Sequence, residues 1–267
     1  MESKIKYVLV QIRNNKKMEN FKLYSKYYDL LYRDKDYKLE SEYVYDMIKR
    51  YESFEIKSMI ELGCGSGGHA KYLADKKIRI TGLDQSAEMI QLANAKNINN
   101  FEGLVRDISN FEISKKFDCA ISLFHVMSYL TQYELFLNTL TCVNKHLNPG
   151  GVFFFDCWFT PAVINLKPTI KVKNISDSEY SVTRIAEPKI DYLTSTVNID
   201  FKIFIEDLVN SKISMLSEFH KMRHFSILEL TLFAKITGFE ILNIEEFLTS
   251  KIPSENTWAI SVVLKKI

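Results

Sequence analysis

Short apolar runs alternate with amphipathic stretches in the first part of the chain. Five apolar runs predict buried strands, over residues 56–60, 78–83, 101–105, 117–123 and 152–156. Between them, apolar residues recur at intervals of three and four, the spacing of helices that pack on a sheet, most clearly over residues 37–51 and 131–147. Strands that alternate with helices predict an α/β fold with a doubly wound, mostly parallel sheet.

The pattern changes after Trp158. Strand-like patterns with few helix signals occupy residues 170–172, 180–185, 197–205 and 213–219, and a helix over 226–237 then precedes two strands, 239–247 and 258–264. With those two strands the parent sheet has seven. We therefore predict an N-terminal extension and tyrosine-rich segment (1–36), an α/β core (37–158), an inserted antiparallel β layer (159–225) and a C-terminal part of the core (226–267).

Four glycines lie in six positions directly after the first strand, in the stretch Glu61-Leu-Gly-Cys-Gly-Ser-Gly-Gly68. Glycine has no Cβ, so a ligand can approach the backbone amides and the following helix N-terminus closely. The pattern alone is ambiguous. Gly63, Gly65 and Gly68 satisfy the dinucleotide-binding fingerprint, whereas Glu61 with Gly63, Gly65 and Gly67 is the form seen in S-adenosylmethionine (SAM) methyltransferases.

Two carboxylates follow the second and third strands. Asp84 lies 21 residues after Gly63, a position from which a carboxylate reaches the ribose hydroxyls of a nucleotide. The alternative is a helix cap, for which Ser86 is equally suited. Asp107 is either a plain loop carboxylate or an acceptor for an adenine amino group, with Ile108 packed on the ring.

Composition narrows the class of protein. Among the 267 residues, 35 Lys and Arg are interspersed with 33 Asp and Glu, so no basic face predicts a nucleic-acid partner. No apolar run is long enough to span a membrane, and residues 1–17 lack the apolar segment of a signal peptide. We expect a cytoplasmic protein with no membrane partner and reduced cysteines, in which residues 1–17 are an upstream extension or an alternative start before Met18.

Five motifs in order carry a resemblance to a known family: the glycine turn, the acidic strand end at Asp84, Arg106-Asp-Ile, the apolar run into His125, and Leu147-Asn-Pro-Gly-Gly. Together they resemble class I SAM-dependent methyltransferases over roughly residues 40–158 and 226–267. A Tyr-x-x-x-Lys pair, Tyr72 and Lys76, also occurs, but it lies on the helix after the glycine turn and does not favour a nicotinamide enzyme.

A narrower resemblance rests on the segments 27–30, 123–130, 155–159 and 218–220. They are similar to the small-molecule branch that includes N,N-dimethyltransferases of nucleotide-linked aminosugars. Those enzymes often carry two aromatic residues where this chain has Asp156-Cys157-Trp158. Because of this difference, the resemblance leaves the identity of the methyl acceptor open.

The resemblance implies SAM as cofactor and S-adenosylhomocysteine (SAH) as product. It places Glu61 and the glycines at the methionine and sulfonium end, Asp84 at the ribose, and Asp107 with Ile108 at the adenine. A tyrosine cluster is either core or a lid over the sulfonium, whose charge favours aromatic rings. The predicted cofactor-binding residues are Tyr24, Tyr28, Tyr32, Glu61, Gly63, Gly65, Gly67, Asp84, Met89, Asp107, Ile108 and Leu123.

A base is needed when the methyl acceptor is a hydroxyl or a protonated amine. His125 follows the fourth strand and has a suitable ordinary pKa, although it is equally a candidate structural hydrogen-bonding group. Tyr129 is one helical turn further, and the resemblance suggests that His220 lines the acceptor pocket. We predict His125, Tyr129 and His220 as catalytic residues. Zinc at His220 and His224 would need a third ligand, so we predict no metal.

The predicted activity is methyl transfer from SAM to a nitrogen or oxygen of a small polar acceptor, a sugar or a nucleotide-sugar intermediate. The alternatives are another small metabolite or natural-product hydroxyl as acceptor, and a SAM-binding partner protein without turnover. The inserted β layer also predicts a homodimer interface.

Overall fold

A computed structural model describes residues 30–52 and 54–267. The predicted extension over residues 1–17 and the tyrosines Tyr24 and Tyr28 lie outside this part. In chain order the elements are α1 (Tyr37–Tyr51), β1 (Ser58–Leu62), α2 (Gly68–Ala74), β2 (Arg79–Asp84), α3 (Ala87–Ala95), β3 (Phe101–Val105), β4 (Phe117–Ser122), a 3₁₀ helix (Val126–Tyr129), α4 (Tyr133–His146), β5 (Leu147–Phe159), α5 (Thr160–Leu166), β6 (Lys171–Ser176), β7 (Tyr180–Asp191), β8 (Thr196–Asp207), β9 (Lys212–Phe225), α6 (Ile227–Ile236), β10 (Phe239–Glu246) and β11 (Ala259–Lys266).

The core strands lie in the order β3-β2-β1-β4-β5-β11-β10. Neighbours from β3 to β5 are parallel, whereas β11 is antiparallel to both β5 and β10. This arrangement confirms the predicted doubly wound, mostly parallel sheet of seven strands. Since β1 separates β2 from β4, the chain reverses its direction across the sheet at β1, which places the following loops at a switch point where ligands bind.

Helices cover both faces of the core sheet, which explains why its strands are continuous apolar runs. In β5, Phe153 and Phe155 belong to one apolar cluster with residues of α4 and α6, whereas Phe154 belongs to another with residues of α1 and α2. Successive side chains of a strand point to opposite faces, so a strand buried on both faces needs apolar residues at every position.

The chain forms two compact units. The larger contains Asp36–Thr169, Pro188–Ile199 and His220–Ile267, and therefore the whole core sheet. The smaller contains Ile170–Glu187 and Asp200–Phe219 with the described residues before Asp36. Its strands include the antiparallel pair of β6 and β7, and it has an apolar cluster of its own. The predicted domain boundaries and the predicted homodimer interface stay predictions.

Some element boundaries differ from those predicted. Helix α4 begins at Tyr133 rather than Thr131, because its first helical hydrogen bond runs from the Phe136 N–H to the Gln132 carbonyl at 3.3 Å, which makes Gln132 the cap. Strand β5 begins at Leu147, so the Asn-Pro-Gly-Gly stretch is part of the strand rather than a separate turn. The short helix α5 was not predicted.

Within the described residues, the structure has no helix of the length and apolarity that a membrane crossing requires.

Replacing a buried phenylalanine of β5 tests this account of the core. Phe155 is 1% exposed, and we expect Phe155→Ala to lower the free energy of unfolding by about 3–5 kcal/mol, because it leaves a cavity between the sheet and α4. The control Leu193→Ala alters a side chain that is 97% exposed and should change stability by no more than ~0.5 kcal/mol. Urea denaturation measures both, and equal midpoints for the two variants would contradict the assignment.

Candidate functional site

The glycine turn joins β1 to α2 and has a left-handed backbone at three positions. Gly63, Gly65 and Gly67 have φ of +68°, +52° and +76°. The Cys64 N–H donates to the Leu83 carbonyl at 2.9 Å, which ties the turn to β2. These conformations strain any residue with a Cβ, so the sequence is glycine-rich here for a backbone reason.

Two of these glycines face different surroundings. A Cβ on Gly63 would lie 2.5 Å from a γ carbon of Val126, so this glycine allows the loop after β4 to pack on the turn. A Cβ on Gly65 would meet no atom within 4 Å. Gly63 therefore serves internal packing, whereas Gly65 presents bare backbone to open space, as close approach of a ligand requires.

Asp84, at the end of β2, fixes the glycine turn through a hydrogen bond. Its Oδ2 accepts the Gly65 N–H at 2.9 Å and its Oδ1 accepts the Ser86 N–H at 2.8 Å. Ser86 is the cap of α3, since its hydroxyl oxygen accepts the Met89 N–H at 3.1 Å. Each carboxylate oxygen has a second lone pair, so Asp84 can still accept from ribose hydroxyls.

Glu61 is a buried carboxyl group beside the glycine turn. Its side chain is 2% exposed, and burial, with the negative charge of Asp84 as a smaller cause, raises its pKa to about 8. Oε1 lies 3.8 Å from Nδ1 of His69, and among the described residues Oε2 has no hydrogen-bond partner. A buried carboxyl oxygen without a partner suits a cationic group such as the ammonium of a methionine moiety.

Four of the predicted cofactor-binding residues follow β2, β3 and β4 in the chain. Met89 lies buried on α3, and Leu123 lies buried directly after β4. Asp107 is exposed, and its Oδ1 accepts both the N–H and the hydroxyl of Ser109 at 2.8 Å. Ile108 is half-buried against the core cluster. The adenine contacts predicted for Asp107 and Ile108 and the cofactor contacts predicted for Met89 and Leu123 stay predictions.

Tyr32 belongs to the smaller unit, where its hydroxyl oxygen accepts from Nη1 of Arg184 at 3.1 Å. The guanidinium also lies 5.9 Å from the centre of the tyrosine ring. The predicted role of Tyr32 as a lid stays a prediction, as do those of Tyr24 and Tyr28, which lie outside the described residues.

His125 follows β4 and is paired with a buried carboxylate. The His125 backbone has φ of +60°, and its N–H donates to both oxygens of Asp156 at 3.1 Å. Nδ1 of the ring lies 2.6 Å from Oδ2 of Asp156, in the geometry of an ion pair rather than of a linear hydrogen bond. The Asp156 side chain is 1% exposed, whereas that of His125 is 24% exposed.

Asp156 is the site residue that sequence reasoning missed. The resemblance marked it as a departure from an aromatic position, and its role depends on the pairing of β4 with β5, which brings Asp156 beside the loop that follows β4. An aspartate within an otherwise apolar strand was the available signal, because a buried carboxylate needs partners.

Tyr129 and His220 form a second polar pair. The Tyr129 hydroxyl and Nδ1 of His220 lie 2.7 Å apart, a hydrogen-bond distance. Tyr129 is 46% exposed. Two residues that the sequence suggested separately are therefore in contact.

Strand β9 extends beyond the predicted 213–219 and contains both His220 and His224, but His224 has a different environment. It is 2% exposed, its Nδ1 lies 2.9 Å from the Thr160 hydroxyl, and burial followed by the charge of Arg223 lowers its pKa. Across the described residues, no group of three His, Cys, Asp or Glu side chains is arranged to hold a metal ion.

These residues fit SAM. The open face of Gly65 admits the close approach of a ligand to the backbone, Asp84 retains acceptor capacity for hydroxyls, and the unpartnered oxygen of Glu61 matches an ammonium group.

Comparison with known proteins agrees with this fit. A family model described as a methyltransferase domain matches residues 59–151. A dTDP-3-amino-3,4,6-trideoxy-alpha-D-glucopyranose N,N-dimethyltransferase from Streptomyces venezuelae is 29% identical over 136 residues, which are 50% of this chain and 56% of that enzyme. The chain thus spans just over half the length of this relative.

Solved structures share the fold over most of the chain. A SAM-dependent methyltransferase from Clostridium acetobutylicum has a TM-score of 0.79 and 22% identity, with 92% of this chain and 98% of that chain covered. A SAM-bound amino pentose methyltransferase from Micromonospora echinaspora has a TM-score of 0.74 and 19% identity, with 92% and 97% covered.

The chain therefore contains a methyltransferase domain over residues 59–151, and the residues around its glycine turn fit SAM as the cofactor.

Proposed function

We propose that this chain transfers the methyl group of SAM to a nitrogen or oxygen of a small polar acceptor, and that the acceptor is a sugar carried on a nucleotide, most simply an amino sugar. The observation that carries the proposal is the pair of His125 and Asp156, because it places a supported imidazole in the loop that packs on the glycine turn. The similarity to the aminosugar enzyme from Streptomyces venezuelae supports the choice of acceptor.

SAM supplies an electrophilic methyl group on a sulfonium when it is bound. In-line transfer to a neutral nitrogen or oxygen leaves an extra proton on the acceptor, so the enzyme must align the acceptor and remove that proton. The chain's own residues then have two tasks. One set holds the donor, and the other orients the acceptor and takes the proton.

His125 is suited to take the proton. Asp156 lies beside Nδ1 and leaves Nε2 as the ring nitrogen that faces a substrate. The carboxylate both fixes the ring and stabilises the imidazolium that proton transfer produces. Because Val126 fills the space above Gly63, the position of the His125 backbone is linked to that of the glycine turn.

Tyr129 and His220 are suited to orient the acceptor. Their contact at 2.7 Å fixes the direction of the phenol hydroxyl, and the Tyr129 side chain is partly exposed. A sugar has hydroxyl groups that donate and accept hydrogen bonds, and a tyrosine hydroxyl can satisfy either role.

A variant of His125 tests the proton acceptor. Asparagine tolerates the left-handed backbone at this position, so His125→Asn should fold normally. We expect its kcat for transfer to dTDP-linked amino sugars to fall by about 10²- to 10⁴-fold, with SAH affinity unchanged, because a general base is lost. Steady-state kinetics and calorimetry measure the two quantities. An unchanged kcat would refute the base assignment, and bound SAM without transfer to any acceptor tested would refute turnover.

A matched pair of tyrosine variants tests acceptor orientation. Tyr129→Phe removes the hydroxyl that contacts His220 and should raise the KM for the acceptor by about tenfold, the loss expected for one hydrogen bond of ~1.4 kcal/mol. Tyr133→Phe is the control, since Tyr133 is 54% exposed and lies only four residues away on α4. Equal acceptor KM values in the two variants would contradict the proposed role.

A glycine variant tests the donor site. Gly65→Ala should lower SAH affinity by about tenfold or more, because the methyl group projects into the space where the cofactor approaches. Gly150→Ala is the control, since Gly150 has a similar φ of +75° and open surroundings but lies at the start of β5. Both variants carry ~1–2 kcal/mol of backbone strain, so equal SAH affinities in calorimetry would place the cofactor elsewhere.

A further inference from the structure

Glu40, His69 and Glu61 form a buried row of ionisable side chains near the glycine turn. The cofactor site described above gives no role to Glu40 or His69. Nε2 of His69 lies 2.7 Å from Oε2 of Glu40, and Nδ1 of the same ring lies 3.8 Å from Oε1 of Glu61. The side chains of Glu40, His69 and Glu61 are 12%, 7% and 2% exposed. They come from α1, α2 and β1, so the row crosses three elements of the larger unit.

The hydrogen-bond chemistry indicates which atoms of this row carry protons. With Glu40 as a carboxylate, which only accepts hydrogen bonds, the short contact places a proton on Nε2 of His69. In the neutral imidazole Nδ1 then carries a lone pair and lies 3.8 Å from Oε1 of Glu61. The far oxygen of Glu61, Oε2, is buried and has no hydrogen-bond partner among the described residues.

The charges around Glu61 favour its neutral form in the free protein. Burial, with the carboxylate of Asp84 as a smaller cause, raises its pKa to about 8. The Cys64 thiol nearby has a pKa raised by burial and stays neutral. The edge of the Tyr37 ring packs on His69, with 4.9 Å between ring centres, and the Ser41 hydroxyl donates to the His69 carbonyl at 3.4 Å. Among these groups, His69 is the one with a basic nitrogen, which lies 3.8 Å from Oε1 of Glu61.

We propose that Glu40, His69 and Glu61 form a proton relay that charges Glu61 when the ammonium group of the cofactor binds at Oε2. The O–H bond of the Glu61 carboxyl group breaks, and the proton forms an N–H bond with the lone pair of Nδ1 on His69. Glu61 becomes a carboxylate, His69 becomes an imidazolium, and Glu40 remains a carboxylate. The three side chains carry one negative charge before and after the transfer, and the ammonium balances it.

The relay gives the ammonium group a charged partner without burying an isolated carboxylate. A carboxylate binds an ammonium group much better than a neutral carboxyl group does, but an isolated carboxylate is costly to bury. With the proton on His69, the charges alternate along the row from Glu40 to the cofactor. His69 and Glu40 are therefore positioning residues for the donor, and their effect depends on the amino group of the ligand.

The relay rests on the assignment of Glu61 to the methionine end of the cofactor, and nuclear magnetic resonance of the wild-type protein tests it. The chain has five histidines, so the ring nitrogens can be assigned. At neutral pH, SAH should move the nitrogen shifts of His69 to those of an imidazolium. The control ligand is 5′-methylthioadenosine, which keeps the adenosine and the thioether but has no amino group, and it should leave His69 neutral. A neutral His69 in the SAH complex would overturn the proposal.

Proton counting by calorimetry in buffers of different ionisation enthalpy gives a second test. Wild-type protein should bind SAH with no net proton release, whereas Glu40→Gln should release about one proton, because the imidazolium loses its carboxylate. SAH affinity of that variant should also fall by up to about tenfold per pH unit as pH is lowered from the Glu61 pKa of about 8.

Two further variants distinguish a failure of the relay from a failure of the Glu61 assignment. Glu42→Gln alters an exposed carboxylate on the same helix and should behave as the wild type. Release of one proton by the wild type would overturn the relay while leaving the cofactor site intact. Glu61→Gln with SAH affinity equal to that of the wild type would instead show that the assignment of Glu61 is wrong, without bearing on methyl transfer at His125.

Discussion

The carboxylate of Asp84 is the interaction on which the donor side of the site depends. It accepts the backbone N–H of Gly65 from the turn after β1 and that of Ser86 from the start of α3. A turn with several left-handed residues has a large conformational entropy when it is free, and these hydrogen bonds fix it relative to β2. The same carboxylate keeps lone pairs for the ribose, so one residue both shapes the turn and remains available to the ligand.

Two other buried carboxyl groups near the site satisfy their electrostatics in different ways. Asp156 accepts the His125 N–H with both oxygens and contacts the imidazole. Glu61 has a distant imidazole on one side and an unpartnered oxygen on the other, and its pKa rises. Asp156 is thus compensated within the protein, whereas Glu61 keeps an unpartnered oxygen. Under the proposed function, this contrast distinguishes a residue that positions a base from one that receives a cofactor.

The sheet could be predicted because strands buried on both faces need continuous apolar runs, and the glycine turn because its backbone excludes Cβ atoms. The contacts between residues distant in sequence could not be predicted. The pairing of His125 with Asp156 requires β4 beside β5, and the row through His69 brings together α1 and α2, with Glu40 and His69 29 residues apart. Helix α5 was missed because it is only seven residues long, too short for a helical period to stand out.

The contact between Tyr129 and His220 is another that the sequence alone did not predict. Each was suggested as a site residue from the chain alone, but their hydrogen-bond contact joins positions 91 residues apart. Side-chain pairing of this kind depends on the path of β9 beside the end of β5, where Trp158 is in register with His224. Sequence patterns therefore identified candidate groups, and the fold determined which of them act together.

Calorimetric titration of the purified protein with SAH and, separately, with NADH tests the central claim most directly. Both ligands contain an adenosine that Asp84 can hold through its ribose, but SAH alone carries an amino-acid ammonium for Glu61. The account predicts binding of SAH and no binding of NADH. Binding of NADH without SAH would contradict it and would return the glycine turn to a dinucleotide-binding role.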